Sequence, residues 1–379
     1  MKTYRCWAEV DLDALRANLA WLRHKVGPGI RIMTVVKADA YGHGLKQIAA
    51  LLMQSGTDIF GVANLAEAQA IRSLGKGWPI LLLGPCLPSE VEAAVRDEVM
   101  PTLSSADEAR RFSDAGCHQG KVVPVHLKVD TGMGRLGCAP ASALCLAFEM
   151  RAMPGLRLEG LLTHYASVED DARFSTAQKN KFEEVINTLS AAGFEIPTIH
   201  ANNSGAILLE PKSMYNLVRP GLLVYGIIPP GLRTKSLTPP LALRPALSLK
   251  CRVGWVKEVR RGTAVSYGHA FIAPRKMRLA TLTAGYGDGY FRSGSDRAQV
   301  LVGGRRCHVV GRITMDQTIV DISALDHVSI GDEAVLIGEQ GQDRITATEL
   351  AGWCGTIPWE VLTNITYRVP RLYRGGQAA

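Results

Sequence analysis

From about residue 30 to residue 228 the chain alternates short β-branched apolar runs with stretches of helical periodicity, the pattern of a parallel sheet whose strands are joined by crossover helices. Eight runs read as strands: IMTVVK (32–37), IFGVA (59–63), ILLLG (80–84), VMPTL (99–103), VVPVHLKVD (122–130), RLEGLLTH (157–164), PTIHA (197–201) and NLVR (216–219). Helical patterns fill the gaps, among them LKQIAALLMQ, LAEAQAIRSL, SADEARRFSDAG and STAQKNKFEEVINTLSAAG, the last closed by a glycine in capping position. Eight β/α units in about 200 residues predict an α/β fold of the (β/α)8 TIM-barrel type in preference to a doubly wound sheet, with NLVR as its shortest strand. Past it, IIPPGLRTKSLTPPLALRPAL carries Pro229, Pro230, Pro239, Pro240 and Pro245 and reads as a linker. The pattern then changes to strands and turns, LSLKCRVGWVKEV, MRLATLTAGYG, QVLVGGRRCHVVG, TIVDIS and EAVLIG, with one helix opened by the capping box Thr346-Ala347-Thr348-Glu349. The expected organisation is a barrel over residues 1–235, whose first ~10 residues are free to pack with the other domain, and a mostly-β domain over 236–379.

Composition leaves this picture in place: 379 residues, 47% hydrophobic and 21% charged, belong to an ordinary globular protein of two or three domains. A net charge of +8 invites an anionic partner, nucleic acid included. Divided at Pro229, however, the chain holds 23 basic and 23 acidic residues before it and 20 and 12 from there on, so the excess lies wholly in the C-terminal part. With no basic block interleaved with aromatics, no nucleic-acid partner is expected. The eight cysteines are scattered without a C-x-x-C pair, which argues against a disulfide framework or a zinc site and for buried thiols in a reducing compartment. The first residues, MKTYRCWAEVDLDALRANL, carry acids where a signal peptide needs an apolar core, and no stretch reaches the ~18 apolar residues of a membrane span. A cytoplasmic location without membrane contact is the expectation.

In a barrel of this kind the chemistry sits at the C-terminal ends of the strands. The polar residues that end the apolar runs are Lys37, Lys128 with Asp130, His164, Asn203 with Ser204, and Arg219. A lysine closing IMTVV would be partly desolvated, which lowers its pKa and makes the neutral amine available for a Schiff base or for accepting a proton; taken alone it better fits a strand-end lysine reaching for water. The run from Lys37 to Gly44 packs a lysine, the Tyr41 phenol and two glycines into a loop leading to a helix, where exposed N–H groups suit a phosphate. In VHLKVD, alternation sets His126, Lys128 and Asp130 on one strand face, a polar face that needs partners. Arg135, in the loop DTGMGRLG, is suited to a bidentate grip on a carboxylate.

That loop also contains Gly132, Gly134 and Gly137, a G-x-G-x-x-G match directly after a strand, and with it a rival reading as a dinucleotide-dependent dehydrogenase. Against this, the next strand ends in His164 where such a fold needs an acid, and four β/α units precede the loop. In the β domain, AVSYGHAF with Tyr267 and TAGYGDGY with Tyr286 fit tight turns with packed rings as readily as a site. A tyrosine serves as acid or base only where something, such as a cation, lowers its pKa of about 10. No serine-hydrolase elbow, Walker loop, H-E-x-x-H or EF-hand loop occurs, and no metal site is expected.

Taken in order, AEVDLDALRANL, VVKADAYGHG, LKVDTGMGRLG, LLTHYA, HANNSGA, VRPGLLVYG, AVSYGHAF, AGYGDGY, GRITMDQ and RVPRLY run through nearly the whole chain. In these motifs the sequence resembles the alanine racemases, pyridoxal 5'-phosphate enzymes with an N-terminal TIM barrel and a C-terminal β domain. The resemblance implies interconversion of L- and D-alanine, supplying D-alanine for peptidoglycan. It implies that Lys37 carries the cofactor covalently and acts as one acid/base, while Tyr267 acts as the other from the opposite face, reaching in from the partner subunit of a homodimer with shared active sites. Arg219 would face the pyridine nitrogen with His164 behind it, and Tyr41, Ser204 and the backbone of Gly221 and Leu222 would hold the phosphate. Arg135 would contact the cofactor's phenolic oxygen and, with the Met315 backbone, the carboxylate of a small amino-acid substrate. Lys128 matches a position often carbamylated in the family, giving an anion that orients Arg135, and Tyr286 matches a gate residue. One departure stands out: Trp359 replaces the family's usual tyrosine, and indole donates a hydrogen bond but accepts none, which opens the alternative of a serine or broader amino-acid racemase.

Overall fold

The structure, a computed structural model, describes residues 4–209, 215–232 and 242–376. Pro239, Pro240 and the expected domain boundary at 235/236 lie outside the described residues. The chain divides into two compact units, one of residues 16–40 and 45–243 and one of 1–15, 41–44 and 244–379. In chain order the first strand, β1 (Cys6–Asp11), belongs to the second unit, and the next eight build a parallel sheet in the first.

These are β2 (Arg31–Val35), β3 (Ile59–Val62), β4 (Ile80–Leu82), β5 (Met100–Leu103), β6 (Val123–Lys128), β7 (Leu156–Leu162), β8 (Thr198–His200) and β9 (Leu217–Val218). They pair in the order β8-β7-β6-β5-β4-β3-β2-β9, so all eight expected strands form a nearly closed barrel. Both faces of a parallel sheet are covered, which is why the runs read as continuously apolar; Met33, Ile59, Leu81 and Leu217 form one of their buried clusters. Each run is longer than its strand; in IMTVVK, VVPVHLKVD, RLEGLLTH and NLVR the polar end leaves the ladder and enters the loop that follows. The helix Ala172–Ala191 begins three residues before STAQKNKF, where the Asp171 carboxylate accepts the Phe174 N–H at 2.9 Å and caps it.

Among the described residues no ladder joins β8 to β9, and a side chain closes that seam instead. Asn216 donates from Nδ2 to the Pro197 carbonyl (2.7 Å) and accepts the Ile199 N–H on Oδ1 (2.8 Å), so its carboxamide stands in for a missing peptide rung. At the C-terminal end the Arg219 N–H donates to the Asn202 carbonyl at 2.8 Å.

The second unit is built on β10 (Leu247–Val259), whose residues alternate between buried and less buried over most of its length. β1 pairs with it antiparallel, Cys6 opposite Cys251, and the strands Met277–Leu282 and Glu333–Gln340 pair with other parts of it. β1 also pairs in parallel with Arg371–Arg374. The hairpin Gln299–Val302/Arg305–His308 turns at Gly303 and Gly304, φ 58° and 76°, which suits a two-residue turn of the mirror-image kind. The helix Ala347–Cys354 carries both hydrogen bonds of the expected capping box. All eight cysteines are free; Cys117 and Cys145 are exposed on helices, which corrects the expectation of uniformly buried thiols. Among the described residues no helix is long and apolar enough to cross a membrane, and no group of three or more His, Cys, Asp or Glu is placed to hold a metal.

Candidate active site

β2 ends at Val35, and two residues on the chain reaches Lys37. Ala38, Asp39, Ala40 and Tyr41 then hold φ of 52°, 54°, 52° and 53°, a left-handed turn of four residues, none of them glycine. L-residues resist this conformation by about 1–2 kcal/mol each, so the surroundings must hold it, and such strain concentrates at functional sites. The Ala38 N–H donates to Glu67 Oε1 at 2.7 Å, while Glu67 Oε2 accepts the Ala63 N–H at 2.8 Å. Asp39 Oδ1 accepts the Leu45 N–H at 2.7 Å. That bond takes one of the N–H groups expected to stand open for a phosphate at the head of the next helix. Burial, and then Arg135, hold the Lys37 amine below its ordinary range, with Glu67 pulling the other way. Tyr41 is buried, and burial pushes its phenol up, keeping it a neutral donor.

Lys128 closes β6 at 4% exposure; its carbonyl accepts the Cys138 N–H at 2.9 Å, while its amine has no hydrogen-bond partner among the described residues. Its amine is lowered to about 8, first by burial, then by Arg135 and Arg219, with Asp130 opposing. The glycine loop beyond it winds around Asp130, whose Oδ1 accepts the N–H groups of Gly132 (2.9 Å), Met133 (2.8 Å) and Gly134 (3.1 Å). Burial raises this carboxyl, but the three donors and Lys128 outweigh it and hold it low. At Gly137 a β-carbon would lie 2.5 Å from the Asp130 nitrogen. The glycines thus serve a turn about a carboxylate and not a dinucleotide, and the turn presents Arg135 exposed, with no hydrogen-bond or ion-pair partner among the described residues.

Behind these groups lies a buried relay. Arg219, 4% exposed just past β9, donates from Nη1 to His200 Nδ1 (2.8 Å) and from Nη2 to the Thr163 and Ala201 carbonyls (2.8 Å each) and to His164 Nδ1 (3.1 Å). A guanidinium has donors only, so His200 must accept on Nδ1 and carry its proton on Nε2, which donates to His126 Nδ1 at 2.8 Å. Burial, followed by neighbouring cations, keeps all three histidines neutral; His126 is held down at about 3. Burial also lowers Arg219 to about 10, which leaves it charged at neutral pH. After burial, Arg219, Arg135, Lys128 and Lys37, in that order, hold His164 well below its ordinary range.

Past β8 and β9, Ser204 Oγ accepts the Gly221 N–H at 3.0 Å and the Leu223 N–H at 3.5 Å. Gly221's donor is therefore occupied, whereas the buried Leu222 N–H has no partner among the described residues. Asn202, fully buried, leaves both carboxamide atoms without a partner. Buried polar atoms are rarely orphaned, so this corner asks for a polar ligand or water. Sequence reasoning assigned no role to His200 or Asn202: both sit in HANNSGA, inside the barrel, where one residue pattern serves packing and polar contact alike.

Tyr41, Tyr267, Tyr286, Met315 and Trp359 belong to the other unit. Tyr267 is 71% exposed. It follows Ser266 at φ 65° and ψ −176°, a region otherwise kept to glycine, where the Ser266 hydroxyl donates to the Arg312 carbonyl at 2.7 Å. Tyr286 and Met315 are also exposed, and the two turns bearing them are joined by the Tyr286 N–H to the Thr314 carbonyl (3.0 Å) and the Gly287 N–H to the Met315 carbonyl (2.8 Å). The Met315 N–H has no partner among the described residues. Trp359 lies on the short helix Pro358–Thr363, partly buried.

The barrel end thus offers a desolvated amine, a pinned guanidinium, a free guanidinium and unpaired neutral donors. This set suits a ligand with a carbonyl, a phosphate and an aromatic nitrogen, and a substrate with a carboxylate. The residues fit pyridoxal phosphate.

Comparison with known proteins gives the same family throughout. Residues 10–229 match the family model for the alanine racemase N-terminal domain and residues 246–373 that for the C-terminal domain. The alanine racemase of Symbiobacterium thermophilum is 42% identical over 98% of each chain, and that of Halothermothrix orenii 39% identical over 97% of this chain and 96% of its own. Among solved structures, alanine racemase from D-cycloserine-producing Streptomyces lavendulae superposes with a TM-score of 0.92 at 34% identity, covering 99% of this chain and 98% of that one. Alanine racemase from Bacillus anthracis with bound L-Ala-P superposes at 0.91 and 33% identity, covering 100% and 97%.

Proposed function

The chain belongs to the alanine racemase family and interconverts L- and D-alanine, and on that premise we propose that Lys37 and Tyr267 are its two bases, each serving one enantiomer. When bound, pyridoxal phosphate supplies a carbonyl for covalent linkage to an amine and an electron-withdrawing ring that acidifies the α-hydrogen. Everything else falls to the protein. Lys37, whose amine burial and Arg135 hold below its ordinary range, would carry the cofactor and exchange the α-proton on the D side. Tyr267 does so on the L side, since two different bases replace a proton with inversion more readily than one.

Arg219, fixed by its acceptors and flanked by His164, has only donors to offer and would leave a ring nitrogen placed against it unprotonated, which would limit the electron withdrawal the bound cofactor supplies. Tyr41, Ser204 and the Leu222 N–H, with Gly221 in support, hold the phosphate. Arg135 and the Met315 N–H bind the substrate carboxylate. At about 8 the Lys128 amine has a neutral fraction able to add carbon dioxide and release a proton, giving an anion beside Arg135. Tyr267, Tyr286 and Met315, which this reading needs inside a pocket, lie exposed on their own chain, and a second copy covering them in a homodimer accounts for that. The setting is cytoplasmic, and the D-alanine product feeds peptidoglycan. Trp359 favours testing serine and lysine enantiomers beside alanine.

The observation that carries this reading is the left-handed turn that follows Lys37 at the end of β2, together with Arg219 pinned just past β9 by His200, His164 and two carbonyls. Purified enzyme is expected to show a band near ~420 nm that borohydride removes, and Lys37→Ala to lack both band and activity. A Lys37→Ala protein that keeps a borohydride-sensitive band would refute the assignment.

A further inference from the structure

Three motifs whose shared role the reading above leaves open, AGYGDGY, GRITMDQ and RVPRLY, meet in one knot of charge. Asp288, 5% exposed, ends the short turn Tyr286–Asp288 and accepts that turn's Gly285 N–H on Oδ2 at 2.9 Å. Arg368 grips the same carboxylate with two bonds, Nε to Oδ1 at 2.8 Å and Nη2 to Oδ2 at 3.0 Å. Its Nη2 also reaches Asp316 Oδ1 at 2.7 Å, on the residue next to Met315. The guanidinium therefore bridges the turn bearing Tyr286 and the turn bearing Met315.

The two turns have no slack of their own. A β-carbon at Gly285 would sit 2.1 Å from the Thr314 carbonyl oxygen and 2.6 Å from that of Met315; one at Gly287 would sit 3.1 Å from the Arg368 guanidinium carbon. Arg368 itself is anchored, because Arg371 donates to the carbonyls of Ile365, Thr366 and Val369 on either side of it. The knot borders a cavity of about 800 Å³ that Asp288, Asp316, Gln317 and Arg368 help to line, and its outer side, at Asp316, is exposed. The exposed arm to Asp316 contributes little to stability, whereas the two-bond grip on the buried Asp288 carboxylate is not a surface pair and helps to hold the turn itself. A planar fork holding two carboxylates at once nonetheless fixes geometry in a way a point charge does not.

We propose that Arg368 is a positioning residue that sets the substrate pocket by clamping the Tyr286 turn, through Asp288, to the Met315 turn, through Asp316. The proposal rests on the reading that the Met315 N–H meets the substrate carboxylate and that Tyr286 narrows the way in. Arg368 touches no substrate; it holds the N–H at one fixed distance from the gate, and loosening it weakens ground-state binding and admits a larger side chain.

The test uses steady-state kinetics of the holoenzyme with both enantiomers of alanine and serine. Arg368→Lys keeps the charge and the fold but cannot fork; KM for both alanine enantiomers should rise about 5–10-fold with kcat within about 2-fold, and the serine-to-alanine ratio of kcat/KM should rise about 5-fold. Asp316→Ala, at an exposed carboxylate, removes the acceptor and so cuts one arm only, and should raise KM about 3-fold with the ratio unchanged. Tyr286→Ala serves as the control on the underlying reading. If it leaves the serine-to-alanine ratio unchanged, the gate assignment fails and the clamp falls with it. If it shifts the ratio while Arg368→Lys stays at wild-type KM and ratio, the clamp alone is overturned.

Discussion

Replacing Gly160 with alanine probes the buried relay where it tolerates least. A β-carbon at this position falls 2.2 Å from His126 Nδ1, 2.4 Å from Cε1 and 2.5 Å from Cγ, where ordinary contact begins at 3.4 Å. The imidazole must retreat, yet it is 1% exposed and bound to His200 at 2.8 Å, so the retreat breaks the ring-to-ring bond. Overpacking costs about 1–3 kcal/mol and the lost hydrogen bond about 1, a destabilisation of roughly 2–4 kcal/mol. His200, no longer held on its far side, then supports Arg219 less well. Denaturant unfolding of wild type, Gly160→Ala, His126→Ala and the double variant measures this as a cycle. In the His126→Ala background the added methyl meets no ring and should cost less than about 0.5 kcal/mol. An equal cost in both backgrounds, or a wild-type midpoint for Gly160→Ala, would refute the reasoning.

Two further outcomes follow from the strain and charge around the site. Ala38→Gly removes about 1–2 kcal/mol of left-handed strain and adds about 0.4–1 of unfolded-chain entropy, so it should stabilise the protein by roughly 0.5–1 kcal/mol, read as a higher unfolding midpoint. Lys128 has a folded pKa of about 8 against 10.5, so between these values the unfolded chain binds more protons. Its penalty on folding is complete below pH 8 and vanishes as the pH rises through 10.5. Lys128→Met should therefore raise the unfolding midpoint most at pH 7, in buffer free of carbon dioxide, with the gain fading toward pH 10.5; a gain independent of pH would count against the buried charge.

The barrel was legible because parallel strands covered on both faces read as unbroken apolar runs, and all eight runs hold a strand. Its closure was not, since the rung between β8 and β9 is an asparagine side chain, and Asn216 carries no periodic signal. Lys37, Lys128 and Arg219, on which the proposed site rests, were visible as strand-end residues and Arg135 as a loop residue, whereas the net charge pointed to the other domain. The turn after Lys37 escaped notice because positive φ is read from glycine, and here two alanines, an aspartate and a tyrosine adopt it under the hold of Glu67 and Asp39. The polar face of VHLKVD was correctly seen to need partners, but His126 finds one 74 residues away in His200, a pairing that only the closed barrel creates. The glycine fingerprint misleads for a related reason: three N–H groups converging on an anion are the same device whether the anion is a pyrophosphate or Asp130.

The most direct test of two-base racemisation is α-proton exchange of each enantiomer in deuterium oxide, followed by proton NMR, with Tyr267→Phe. The phenyl ring keeps the shape of the site and removes only the proton carrier. Exchange from D-alanine, served by Lys37, should persist near the wild-type rate, while exchange from L-alanine should fall by about 10²–10⁴-fold. Wild-type exchange from both enantiomers, or equal slowing of both, would contradict the assignment of Lys37 and Tyr267 to opposite enantiomers.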